Sequence, residues 1–63
     1  MRVSLKAARV NKGLRQTDVA THLNVTRGTV WRWENGKSLP TADLIEPLCQ
    51  LLDVTYDDIK WKP

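Results

Sequence analysis

The chain has 63 residues, one cysteine, three glycines, three prolines and a formal net charge of +3. A chain of this length holds one domain, 1–63, with a modest core, and leaves no room for an enzyme domain beside a regulatory one. The single Cys49 excludes an intrachain disulfide and a Cys/His zinc set, and no apolar run approaches the ~20 residues of a membrane span, so the expectation is a folded cytoplasmic protein without metal, cofactor or small-molecule ligand.

The opening residues MRVSLKAARV carry no long apolar core and no cleavage site, so they read as the start of the fold. A first helix is predicted from about Ser4 to Lys12, with Leu5 and Ala8 inward and Gly13 as its stop. A second covers about Gln16 to Leu23, with Val19, Ala20 and Leu23 as its apolar stripe. A third covers about Arg27 to Asn35; Gly36 ends it and Pro40 prevents a quick restart. A fourth lies within Thr41 to Leu52. Pro47 falls inside that window, so either the helix kinks there or its regular part begins near Glu46. A short fifth helix runs from Tyr56 to about Trp61, with Thr55 as its cap and Asp57 and Asp58 at its positive end. No alternation of polar and apolar residues lasts long enough for a strand. The expected fold is all-α, a compact five-helix domain.

One local device occurs twice. Leu23-Asn24-Val25-Thr26 and Leu52-Asp53-Val54-Thr55 each end a helix, turn through Asn or Asp and place a threonine before the next helix. Asn and Asp are the non-glycine residues best able to take positive φ, so both read as tight turns between helices.

The charge is segregated. Residues 1–40 carry eight Lys/Arg against Asp18 and Glu34, whereas residues 41–63 carry Lys60 and Lys62 against five acids. A polyanion is attracted to the first part and repelled by the second, although a solvated surface can also segregate without purpose.

The third helix has two faces. At ~100° per residue, Val30 and Trp33 share one side. Arg27, Gly28, Trp31 and Arg32 lie within an arc of about 140° on the other. Arginine can pair with guanine O6 and N7 in the major groove. Gly28 either lets the backbone approach DNA closely or is a tolerated glycine. Thr26 caps the helix and is placed to touch a thymine methyl or a phosphate.

The residues from Gly13-Leu14-x-Gln16-x-x-Val19-Ala20 through Thr29-Val30-x-x-Trp33-Glu34-Asn35-Gly36-Lys37, then Pro40 and the Leu52–Ile59 segment, resemble the Cro/phage-repressor (XRE-type) helix-turn-helix family. The resemblance covers about Leu5 to Ile59. It implies that Arg27, Gly28 and Arg32 read bases; Thr26 joins them as a base-reading candidate from its position alone, beside the simpler reading of a helix cap. It gives phosphate contacts to Gln16, Asn35 and Lys37, Asn35 partly through its main-chain N–H. It also implies an ion pair between Arg9 and Glu34, which answers a local puzzle, since a glutamate near a helix C-terminus faces the wrong end of the dipole.

Three positions depart from the family pattern. Arg15 stands where Ser or Thr usually caps the second helix; arginine cannot accept that bond, and a phosphate contact is the functional explanation. Asn24 stands where glycine is usual. Trp31 replaces a small or polar residue, and can lie against DNA, meet a second subunit or simply be exposed. Elsewhere, His22 reads as a surface residue, Cys49 as core packing, and Trp61 as a lid on the core or part of a dimer contact.

These observations point to a non-enzymatic transcriptional regulator. It would bind a near-palindromic double-stranded DNA operator as a homodimer, most simply as a Cro-like repressor, with dimer contacts along Leu52–Ile59 and the Leu39–Pro40 loop. An antitoxin or restriction-system controller would use the same surface. A protein-interaction module without DNA binding is the alternative of another class.

Overall fold

Four α-helices carry most of the chain in the computed structural model, which describes residues 2–61. Strand β1 (Val3–Ser4) leads into α1 (Leu5–Asn11), followed by α2 (Gln16–Leu23), α3 (Arg27–Glu34) and α4 (Ala42–Leu52). A single 3-10 turn (Tyr56–Asp58) then precedes β2 (Ile59–Lys60).

Local chemistry sets the helix ends. The Ser4 hydroxyl accepts from the Ala7 N–H at 3.0 Å and starts α1. Gly13 follows α1 at φ +72° and Gly36 follows α3 at φ +71°, a region that costs glycine little. Asn24 and Asp53 close α2 and α4 at φ +58° and +56°. After each, the valine N–H reaches back five residues to a helix carbonyl: Val25 to Ala20 at 2.9 Å, Val54 to Cys49 at 3.0 Å. Both turns thus satisfy helix-end carbonyls in the same way.

The expected fifth helix is replaced by the 3-10 turn and a strand. Asp58 Oδ2 accepts from the Thr55 N–H at 2.9 Å, which completes one turn only. Ile59 then pairs in parallel with Val3, and Lys60 with Ser4. Ile59 is buried in the core, and β-branched residues favour this extended packing over another helical turn. Each strand has two residues, too few for alternation to register. The pairing closes the helical body by joining the two ends of the described chain.

Helix α4 also differs from one of its two expected forms. It is regular from Ala42, so Pro47 is an interior residue and not part of a first turn. Proline removes the N–H that would reach Asp43. Asp43 is exposed, so water can serve its carbonyl, and the cost is offset by burial of Leu48, Cys49 and Leu52 on the inner face.

The core joins Leu5 and Ala8 of α1, Val19, Ala20 and Leu23 of α2, Val30 and Trp33 of α3, Leu48 and Leu52 of α4, and Ile59. Val30 and Val19 are each 1% exposed, so α3 is seated firmly on α2 through its inner face. Trp61 packs against this core, stacks on Tyr56 with ring centroids 5.3 Å apart, and donates from Nε1 to the Tyr56 carbonyl at 3.1 Å. Of its two expected roles, the lid on the core is the one seen within the chain. No helix among the described residues is long and apolar enough to cross a membrane.

Candidate nucleic-acid interface

Helix α3 is fixed at both ends. Thr26 Oγ1 accepts from the Thr29 N–H at 3.2 Å and lies 2.9 Å from the Thr29 hydroxyl. A cap of this type contributes about 1 kcal/mol. At the other end the Trp31 carbonyl accepts from the Asn35 main-chain N–H at 3.0 Å and from Asn35 Nδ2 at 2.9 Å. Lys37 N–H returns to the Arg32 carbonyl at 2.9 Å. The Asn35 N–H is therefore spent on the helix end, not offered to a partner as expected. Its side-chain oxygen and second amide hydrogen remain outward-facing groups for a contact.

A buried ionic cluster holds α3 to α1 and α2. Arg9 Nε donates to Glu34 Oε2 at 2.6 Å, and Arg9 Nη2 to Oε1 at 3.2 Å. The Arg9 and Glu34 side chains are 10% and 2% exposed. Arg9 Nη1 donates to the Leu14 carbonyl at 2.8 Å, and Gln16 Nε2 donates to Glu34 Oε1 at 3.0 Å. Gln16 Oε1 in turn accepts from Arg27 Nη1 at 3.4 Å. One cluster thus ties both ends of α3 to α1 and to the start of α2. The Leu14 carbonyl and the link from Gln16 to both Glu34 and Arg27 leave no trace in local sequence, because they depend on tertiary approach.

Arg15 occupies the N-cap of α2 without accepting a cap bond. Asp18 supplies what arginine cannot. Its Oδ2 accepts from the Arg15 main-chain N–H at 2.8 Å, and its oxygens lie 3.3 Å from Arg15 Nε and Nη2. The Arg15 N–H, and then its guanidinium, hold the Asp18 carboxyl below its usual range. The Arg15 side chain is 82% exposed, so this surface pair is a weak tether that an approaching phosphate could exchange.

The electrostatic result is one-sided. The two acids of residues 1–40, Asp18 and Glu34, are both engaged by arginine. The exposed residues of α3 and the turn after it are Arg27, Gly28, Trp31, Arg32, Asn35, Gly36 and Lys37, with no acid among them. Of the expected contact residues, Thr26, Arg27, Gly28, Arg32, Asn35 and Lys37 lie on one continuous segment. Gln16 is half-buried beside Arg27, and Arg15 precedes it at the edge. Gly28 has no backbone reason to be glycine. A Cβ there would meet only Thr26 Oγ1, at 3.9 Å.

A family model described as a helix-turn-helix domain matches residues 1–61. The antitoxin PezA of Streptococcus pneumoniae serotype 4 is 34% identical over 56 residues, which are 89% of this chain and 35% of that protein. The HTH-type transcriptional activator BcrR of Enterococcus faecalis is 31% identical over 55 residues, 87% of this chain and 27% of that protein. The chain thus spans about a third or less of the length of these curated relatives. No solved structure matches it.

Proposed function

The chain belongs to the helix-turn-helix domain family, and on that premise we propose that it binds double-stranded DNA sequence-specifically through α3 and regulates transcription. The observation that carries this reading is the acid-free outer face of α3, flanked by Arg27, Arg32 and Lys37 and rigidly seated on the core. A helix docked in the major groove presents side chains to base edges, and arginine there pairs with guanine. Arg27 and Arg32 are assigned to bases. Lys37, Asn35, Gln16 and, after release from Asp18, Arg15 are assigned to phosphates.

Size supports a dimer. The molecule measures 28 × 23 × 19 Å. Half-sites read by two-fold helix-turn-helix dimers lie ~34–36 Å apart, so one copy reads one half-site. Repression of the Cro kind follows from occupancy alone, since a seated dimer obstructs polymerase. The antitoxin reading is favoured by the 34% identity to PezA and shares the same DNA contacts. It differs by requiring a toxic partner protein that this chain silences, and co-expression with the product of a neighbouring gene separates the two.

Selection of the preferred site from random duplex DNA tests the proposal, followed by gel shift on the selected sequence. A near-palindromic consensus is expected. No enrichment of any sequence, at low salt, rejects DNA binding and leaves the protein-interaction alternative.

A further inference from the structure

Strands β1 and β2 turn one face to the core and the other to solvent. Val3 pairs with Ile59 and Ser4 with Lys60; Ile59 is buried and Val3 packs against the core. Side chains alternate along a strand, so Lys60, and Arg2 just before β1, belong to the outer face, and both are exposed. The two line a surface groove of about 380 Å³ together with Tyr56, Asp57, Ile59 and Trp61. Tyr56 is 55% exposed and stacks on Trp61. The Trp61 Nε1–H is spent on the Tyr56 carbonyl, so the chain itself holds this aromatic wall in place. Among the described residues, neither Arg2 nor Lys60 forms an ion pair. The groove thus offers two cations against the single acid Asp57, beside an exposed aromatic pair.

We propose that this groove docks a segment of a partner protein that presents one carboxylate beside an apolar side chain. Trp, Tyr and Arg are the side chains that dominate binding at protein interfaces, and the groove holds one of each. Arg2 and Lys60 against Asp57 leave a local charge of +1, which complements one carboxylate and not a run of them. A nucleic acid brings a phosphate with every nucleotide, and Asp57 and Asp58 of the adjoining 3-10 turn oppose it. The carboxylate of the segment pairs with Arg2 and Lys60, and its apolar side chain covers the exposed Tyr56 ring. These residues are separate from α3, so the inference stands whether or not α3 reads DNA.

The test uses blocked pentapeptides of glycine with one leucine next to one glutamate, and amide spectra of the isotope-labelled full chain. The glutamate peptide should bind with millimolar affinity and shift the amides of Val3, Tyr56, Lys60 and Trp61. Glutamine in place of its glutamate should weaken binding about two- to fivefold, the worth of an exposed ion pair, and lysine at least as much. Arg2→Ala and Lys60→Ala should each weaken the glutamate peptide by a similar factor and leave the glutamine peptide unchanged. Tyr56→Ala should remove the advantage of leucine over alanine in the peptide. Arg2 and Lys60 are exposed, so both variants should keep the fold, which thermal unfolding checks. Equal binding of the glutamate, glutamine and lysine peptides overturns the proposal, as does the absence of any shift at these amides. Movement of the same amides with protein concentration alone, lost in Arg2→Ala, assigns the groove to a second copy of the chain. A larger shift with a short single-stranded oligonucleotide assigns it to nucleic acid. Either of these outcomes also overturns the assignment to a partner protein.

Discussion

At Gly28, folding and the proposed DNA contact make opposite demands. Its φ is not in the left-handed region and nothing crowds it, so alanine fits the fold. Gly28→Ala should therefore raise stability by about 0.5–1 kcal/mol, because glycine is the poorer helix former. Thermal unfolding should show the gain while gel shift shows weaker operator binding; a stabilised variant that binds as well as wild type would mean the glycine is merely tolerated. The arginines and Lys37 should separate in kind. Arg27→Ala or Arg32→Ala should cost about 1–3 kcal/mol and relax preference at one base position. Lys37→Ala should weaken all sequences alike and reduce the salt slope by about 1. If Arg27→Ala behaved like Lys37→Ala, Arg27 would be a phosphate contact.

Among the elements, the cluster around Glu34 matters most, since it joins three helices through one carboxylate. Removing one member of a buried pair leaves the other charge without compensation, at about 3–5 kcal/mol. Sixty-three residues support only about 3–9 kcal/mol of total stability at typical values per residue. Arg9→Ala or Glu34→Ala should thus unfold much of the protein by circular dichroism, whereas the double variant Arg9→Met, Glu34→Leu should recover most of the helix signal. The two capping carboxylates each add a small acid sensitivity. The Thr55 N–H lowers the Asp58 carboxyl as the Arg15 N–H lowers Asp18. Each contribution is complete above the unfolded value near ~4 and is lost as pH falls through the lower folded value. Asp18→Asn and Asp58→Asn should flatten the loss of stability below that pH in acid titrations of unfolding. These elements also show what sequence can and cannot carry. The turns at Asn24 and Asp53 were legible because their chemistry is local. The fifth helix was not, because Thr55 and Asp58 close one 3-10 turn as readily as they open an α-helix, and the pull of Val3 on Ile59 is a contact across most of the chain. The Arg9–Glu34 pair was expected from resemblance alone; its partners Leu14 and Gln16 needed the fold.

For the whole molecule, polarity and size lead to one geometric expectation. The cationic residues up to Lys37 lie before, on and between the first three helices and on the turn after α3, and the acids Asp43, Glu46, Asp53, Asp57 and Asp58 lie on α4 and the turn beyond. A polyanion therefore orients the domain with α3 inward and α4 outward before any specific contact forms. Eight residues of α3 span roughly 12 Å, about four base pairs, at a rise of 1.5 Å per residue. In the proposed two-fold dimer two such short readers act together, and the symmetry fixes the spacing of what is read. The selected operator should show two inverted half-sites with centres about 10–10.5 base pairs apart. Inserting five base pairs between them turns one half-site to the opposite side of the duplex and should reduce binding to that of a single half-site. Inserting a full turn restores the facing but stretches the dimer beyond its reach, so recovery there would require a long flexible link between copies. Undiminished affinity after the five-base-pair insertion would show that the copies bind independently, and that the two-fold dimer is not the reading unit.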